Sequence, residues 1–302
     1  MSKHFLSASA FALFSLSGTQ ALAATVSLTN TYALGNALAV GNSNFNPQGM
    51  GYDSSANELL FIQQSANNIV RTDLTGQVLG TRTIGAIPAY GSTTANHTTS
   101  VAADAGHYYF SDYTGNSTAL DLYSIGKAAG AAVALSNEIA AYGGYPIDVR
   151  NGLLYRTNIT TGYSNSNLNQ IRISAIGAPD ITTTTLSLGG GLGIADFAVD
   201  TDHGAIWVLD YVAGASVRRY DLTSGALQET YALGLDGLTA GMTYANNMLY
   251  YYDWNSGSGS SLRTYAIAGL ASVNPSNVPE PTSLALVGAA LALAGVSARR
   301  RA

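Results

Sequence analysis

Cysteine is absent from the 302 residues. Disulfides, thiolate-held metals and cysteine nucleophiles are thereby excluded, and stability has to come from the core and from strand pairing. Charge is almost as scarce. Only 10% of the residues are Asp, Glu, Lys or Arg, against about a quarter in ordinary soluble proteins. The net charge is -5 and the body of the chain carries no basic patch, so nucleic acid is not an expected partner. Proline is sparse, at 7 residues. Neither a G-x-S-x-G elbow nor a phosphate-binding loop occurs, which removes two common catalytic signatures. Gly189-Gly-Gly-Leu-Gly193 runs into a strand rather than a helix, so it offers no helix N-terminus to an anion and reads as a flexible crossing. His97, His107 and His203 are the histidines outside the first few residues, and they are not at zinc-ligand spacing.

Glycine is abundant (33), and tyrosine (19) outnumbers phenylalanine (7) and tryptophan (2) together. Short β-branched and aromatic runs alternate with Gly, Asn, Asp and Ser clusters, the pattern of an all-β chain. Phe197–Leu233 shows it best. Phe197–Asp200 is a strand, Thr201–Gly204 a turn, Ala205–Leu209 a second strand and Val217–Leu222 a third. Thr223–Gly225 turns again into a fourth, Ala226–Leu233.

Variants of this unit recur. First-strand anchors stand at Met50–Asp53, Val101–Asp104, Ile147–Arg150, Phe197–Asp200 and Met242–Ala245. Their spacing of roughly 45–51 residues, with four strands per unit, is that of β-propeller blades. The expectation is an all-β propeller of about five four-stranded blades; strands hidden in Ala86–Thr99 or Thr157–Asn169 would raise the count to six or seven. The fifth unit lacks a fourth strand. Leu28–Gly35 matches Leu227–Gly234, a fourth strand, at six of eight positions. The N-terminal segment is therefore predicted to complete the last blade and close the ring. The unit resembles blades of bacterial NHL and WD-like propellers, Val199–Asp210 (VDTDHGAIWVLD) most clearly. A β-sandwich is the competing architecture, because repeat identity is weak elsewhere.

Both ends carry targeting patterns. Lys3 and His4, an apolar stretch at Phe5–Leu16, and Ala21-Leu22-Ala23 read as a signal peptide over 1–23, cut after Ala23. At the other end Val278-Pro279-Glu280-Pro281 precedes an apolar run and then Arg299-Arg300-Arg301. The run of about 14–16 residues makes roughly 21–24 Å of helix, short of the ~20 residues that span a bilayer. The arginines hold their end cytoplasmic, and the prolines insulate the helix from the body.

This tripartite tail resembles the PEP-CTERM sorting signal of Gram-negative bacteria. The resemblance implies processing by exosortase, a transpeptidase-like membrane enzyme, and transient anchoring in the inner membrane through residues 283–298. The sorting residues are then Val278, Pro279, Glu280, Pro281, Arg299, Arg300 and Arg301, beside Ala23 as the processing residue of the signal peptide. Expected boundaries are 1–23 signal peptide, 24–271 propeller, 272–282 linker with the VPEP motif, and 283–302 sorting helix and basic tail.

Five second strands end in a polar residue: Gln64, Asp112, Asn158, Asp210 and Asp253. Ring symmetry puts them at similar heights. They read first as turn caps accepting backbone N–H groups. The sharper expectation is a ligand site there, with Asp112, Asp210 and Asp253 as an alternative all-oxygen Ca²⁺ site; otherwise no cofactor is implied. Asp200–Gly204 resembles part of a calcium loop but lacks its third acidic residue and terminal Glu, so a hairpin turn is preferred. Tyr250, Tyr251 and Tyr252 are consecutive, so a strand sends Tyr251 to the face opposite the other two. The functional expectation is a non-enzymatic exported binding or scaffold protein, since tails of this family accompany exopolysaccharide production. Partners are then polysaccharide or other envelope proteins. A propeller hydrolase or lyase with an axial cation, and a surface-layer component, are the alternatives.

Overall fold

In the computed structural model the described residues are 24–34, 49–63, 68–85, 98–112, 120–138, 146–157, 169–176, 184–189, 192–210, 216–234, 241–255, 259–270 and 272. The strand-and-turn grammar of the sequence is realised in five antiparallel four-stranded sheets. β1 is Thr25–Ala33. Blade 1 holds β2 (Gly51–Asp53), β3 (Glu58–Gln63), β4 (Asn68–Thr72) and β5 (Val78–Thr83). Blade 2 holds β6 (Thr98–Ala103), β7 (His107–Asp112), β8 (Leu120–Gly126) and β9 (Val133–Glu138). In blade 3 the strands are β10 (Ile147–Arg150), β11 (Leu153–Thr157), β12 (Gln170–Ala175) and β13 (Thr184–Ser187). Blade 4 runs through β14 (Ile194–Asp200), β15 (Ala205–Asp210), β16 (Ser216–Asp221) and β17 (Leu227–Tyr231). Blade 5 has β18 (Gly241–Ala245), β19 (Met248–Asn255) and β20 (Gly259–Ala268), with β1 as its outermost strand.

The fold is thus an all-β five-bladed propeller closed by its N-terminal strand. β1 pairs antiparallel with β20 from Thr25 opposite Ala268 to Ala33 opposite Ser261. The register slips once between Leu28 and Asn30. Thr29, the extra residue, turns its hydroxyl to the Thr264 carbonyl at 2.9 Å, so the bulge leaves its own hydroxyl satisfied.

The core lies between blades, not within them. Residue alternation sends neighbouring side chains to opposite faces of a sheet, and each face meets an adjacent blade. Five clusters follow, one per junction. Phe197, Val199, Ile206 and Val208 pack toward blade 3 with Tyr155 and Ile171. Ala198, Trp207 and Leu209 pack toward blade 5 with Met242 and Leu249. The three tyrosines divide as their parity requires. Tyr251 joins the blade 4–5 cluster. Tyr250 and Tyr252 join the blade 5–1 cluster, together with Leu34 at the end of the closing strand.

The first strands of blades 2 and 4 start earlier than their anchors. Each contains a register shift, between Thr98 and Ser100 and between Ile194 and Asp196. Such bulges re-aim a side chain, and both Ser100 and Asp196 make contacts at the ring axis that are described below.

Candidate functional site

The first strand of each blade is innermost, so its turn into the second strand lies beside the axis. Two of these turns are two-residue hairpins, Asn151-Gly152 and Asn246-Asn247. All four residues have positive φ, 51° and 76° and then 52° and 60°, as the tight hairpin geometry requires. Three others are locked by an aspartate. Asp53 Oδ1 accepts N–H from Ser55 (3.0 Å) and Ala56 (3.3 Å). Asp104 Oδ1 accepts from Gly106 and His107, both at 2.8 Å. Asp200 Oδ1 accepts from His203 N–H at 3.0 Å, and its Oδ2 from Trp207 Nε1 at 3.1 Å. Asp200–Gly204 is therefore a capped hairpin turn.

The five turns surround a cavity of about 490 Å³ at the axis. Every blade contributes to its wall. Tyr52 and Tyr244 supply aromatic surface, Asp104, Asp202 and Asn246 supply polar groups at the rim, and Arg150 lies at the base. Tyr244 hydroxyl donates to Asn247 Oδ1 at 3.0 Å and lies 3.3 Å from Asp202 Oδ2. Burial, then the charges of Asp200 and Asp202, push its ionisation far up, so it acts as a donor. Burial also pushes the Asp104 carboxyl up, but the Tyr109 hydroxyl and two backbone N–H groups outweigh it and leave Asp104 below the usual carboxylate range.

Arg150 crosses the axis. Its Nε donates to the Val199 carbonyl of blade 4 (3.2 Å) and its Nη2 to the Tyr244 carbonyl of blade 5 (3.0 Å). The guanidinium also sits 5.7 Å from the centre of the Tyr52 ring of blade 1 and 3.4 Å from Asp148 Oδ2. One side chain from blade 3 thus touches blades 1, 4 and 5.

Deeper in, the inner strands expose backbone edges with no further strand to pair with. Side chains from neighbouring blades satisfy them. Ser100 Oγ accepts from Ile147 N–H at 2.9 Å. Asp148 Oδ2 accepts from Val199 N–H at 2.8 Å. Asp196 accepts from Met242 (2.6 Å), Phe197 (2.8 Å) and Met50 (3.2 Å). Burial raises the Asp148 carboxyl, against the opposing pull of Arg150 and two backbone N–H groups.

Of the residues expected to form a ligand ring, the three in described strands, Asp112, Asp210 and Asp253, lie at the other end of the propeller. Gln64 and Asn158 fall outside the described residues. Asp112 and Asp253 lie in β7 and β19, with their side chains outside the description. Asp210 is described and fully buried. It accepts from Gly193 N–H at 3.1 Å and pairs with Arg218 Nη2 at 2.6 Å, contacts that lie within its own blade and its incoming crossing. Among the described residues no three His, Asp or Glu side chains are grouped as metal ligands. Sequence reasoning missed Arg150, Asp148 and Asp196. The Asp that closes three of the five anchors, and the Asn-Gly and Asn-Asn pairs, were the available signal for which turns meet at the axis.

Fold and tail together define the class: a five-bladed β-propeller bearing a C-terminal export-and-sorting motif. Residues 277–301 match the PEP-CTERM protein-sorting motif. The body is similar to glutaminyl cyclase from Myxococcus xanthus, at 13% identity and a TM-score of 0.51, covering 82% of this chain and 97% of that one. It is also similar to a streptogramin B lyase (17% identity, TM-score 0.42, covering 76% and 66%). A third similar structure is the gluconolactonase XC5397 from Xanthomonas campestris (17%, 0.46, 72% and 71%). At such identities the likeness is one of fold. No curated protein matches the sequence.

Proposed function

We propose that this chain is a non-enzymatic propeller that binds extracellular polysaccharide or another envelope component, through the cavity at the first-turn end of its axis. The PEP-CTERM motif marks the chain for export and envelope sorting; the cavity supplies the means of binding. The observation that carries the reading is the wall built by all five blades, with two tyrosines, carboxylate and amide groups at the rim, and one guanidinium below. Aromatic faces beside clustered donors and acceptors suit a hydroxyl-rich ligand.

The test is calorimetric titration of the exported protein with acidic and neutral oligosaccharides, and with Ca²⁺ alone. Asp202 is solvent-exposed, so Asp202→Ala leaves the fold intact. It is expected to weaken oligosaccharide binding about tenfold, equivalent to ~1.4 kcal/mol. Unchanged binding places the ligand elsewhere, and turnover of the oligosaccharide overturns the non-enzymatic reading.

Replacing Pro279-Glu280-Pro281 with three alanines tests the sorting role separately. The propeller is expected to melt as before, while membrane fractionation finds the protein retained at the inner membrane. Normal release of that variant refutes processing by an exosortase-type enzyme at this motif.

A further inference from the structure

Ala24, the first described residue, is buried at 6% exposure. Its backbone N–H donates to Glu229 Oε1 at 3.0 Å. The two residues stand on different blades: Ala24 leads into β1 of blade 5, and Glu229 lies on β17, the outer strand of blade 4. The carboxylate is held from its other side. Oε2 receives Arg219 Nε at 3.2 Å and the Tyr231 hydroxyl. Its first oxygen is thus aimed at Ala24 while the second is occupied. Tyr231 in turn packs on the buried Trp207, with ring centres 5.8 Å apart.

We infer that Glu229 is the docking site for the α-ammonium of Ala24, created when a signal peptidase hydrolyses the Ala23–Ala24 bond. Water supplies the hydroxyl that stays on the Ala23 carbonyl carbon. The nitrogen of Ala24 leaves as an amine and takes up protons to become an ammonium. A neutral N–H with one proton becomes a cation with three, beside a carboxylate already in place. The hydrogen bond turns into a charge-assisted one, which is shorter and roughly twice as strong. Processing thereby latches blade 5 onto blade 4 at the strand that closes the ring. The inference rests on the reading of residues 1–23 as a signal peptide cut after Ala23.

The charged and titratable groups described around the pair are Arg219 on β16 and Glu229 and Tyr231 on β17. On β20, which pairs with β1, Arg263 stands opposite Thr31 near the far end. An ammonium that gains a carboxylate has its pKa raised above the free value of about 7.7–8.0. Its stabilisation is therefore complete below that value and is lost as pH climbs through the folded one. For Glu229, burial raises the carboxyl, but Tyr231, the Ala24 N–H and Arg219 outweigh it and the net value is lowered. That contribution is present above about 4.3, the free Glu value, and is lost as pH falls through the folded value.

The exported protein provides the test. Lys3 and Lys127 are its only lysines in the sequence, so a chain starting at Ala24 has two primary amines. Intact mass first establishes the N-terminal residue. Acylation near pH 7, followed by peptide mass spectrometry, then compares the α-amine with Lys127 in wild type and in Glu229→Gln. The α-amine is expected to react about tenfold more slowly in wild type. α-Acetylated wild type should melt about 2–4 °C lower than the free amine, with the difference closing near pH 10. Acetylation of Glu229→Gln should change its melting temperature little. Equal α-amine rates in the two proteins, or the same melting loss in both, overturn the latch. An N-terminus other than Ala24 overturns the cleavage reading instead, and the latch with it.

Discussion

A protein lacking Thr25–Ala33 is expected to lose the cooperative thermal transition of the intact propeller. β1 pairs with β20 at eight positions. Its removal leaves the full length of β20 as an open edge, and such edges invite association with other chains. Net backbone hydrogen bonds contribute about 0.5–1.5 kcal/mol each, so the lost ladder alone approaches the 5–15 kcal/mol that holds a typical domain folded. The junction losses add to this. Val26 packs into the blade 4–5 cluster and Leu34, just beyond the strand, into the blade 5–1 cluster. Circular dichroism melts and size-exclusion chromatography of the shortened protein should show a broad, early transition and self-association. A melting temperature within about 3 °C of the intact chain contradicts ring closure, because a frayed terminus contributes no more than that.

Asp196→Ala is expected to be the most destabilising single substitution at the axis. The carboxylate holds N–H groups of Met50, Phe197 and Met242, on the approach to blade 1 and in blades 4 and 5. It is 1% exposed, so water cannot replace it without rearrangement. Each buried donor left unpaired costs about 1–3 kcal/mol. With partial relaxation the total is about 3–5 kcal/mol, or a fall of roughly 8–15 °C in melting temperature for a domain of this size. Asp196→Asn keeps the shape and one acceptor oxygen, and should cost less than half as much. Burial pushes the Asp196 carboxyl well above the usual range, against the pull of its three N–H partners. A raised carboxyl holds its proton in the folded state where the unfolded chain has released it. Its contribution is therefore greatest below the free value of about 3.9 and declines as pH rises through the folded value. Asp196→Asn should flatten that part of the stability–pH curve. An Asp196→Ala protein that melts with wild type would show that the axis does not depend on this carboxylate.

The contrast between these two predictions marks what was legible before folding. Ring closure rested on a local match, Leu28–Gly35 against Leu227–Gly234, and the structure places β1 where the missing fourth strand belongs. The parity of Tyr250, Tyr251 and Tyr252 was legible for the same reason: strand geometry is local and its period is two. Asp196, Asp148 and Arg150 were not. Ile147-Asp-Val-Arg150 reads as an ordinary alternating strand whose polar side faces solvent. Five such strands facing one another remove that solvent, and the polar side becomes a buried mesh between blades. The expected ligand ring was placed by the ends of the second strands, where Asp210 is engaged by Arg218 and Gly193. The cavity described here lies at the opposite end, formed by the first turns.

The four-strand repeat, closure by the N-terminal strand and the sorting motif were legible in the amino-acid sequence alone, because each depends on residues near one another in the chain or on a repeat that compares the chain with itself; the choice of five blades over six or seven came from the structure. The polar axis, the cavity above Arg150 and the meeting of Ala24 with Glu229 were decided by tertiary structure. They join residues 46 to 205 positions apart, and only the closing of the ring brings those groups within hydrogen-bonding reach and away from water.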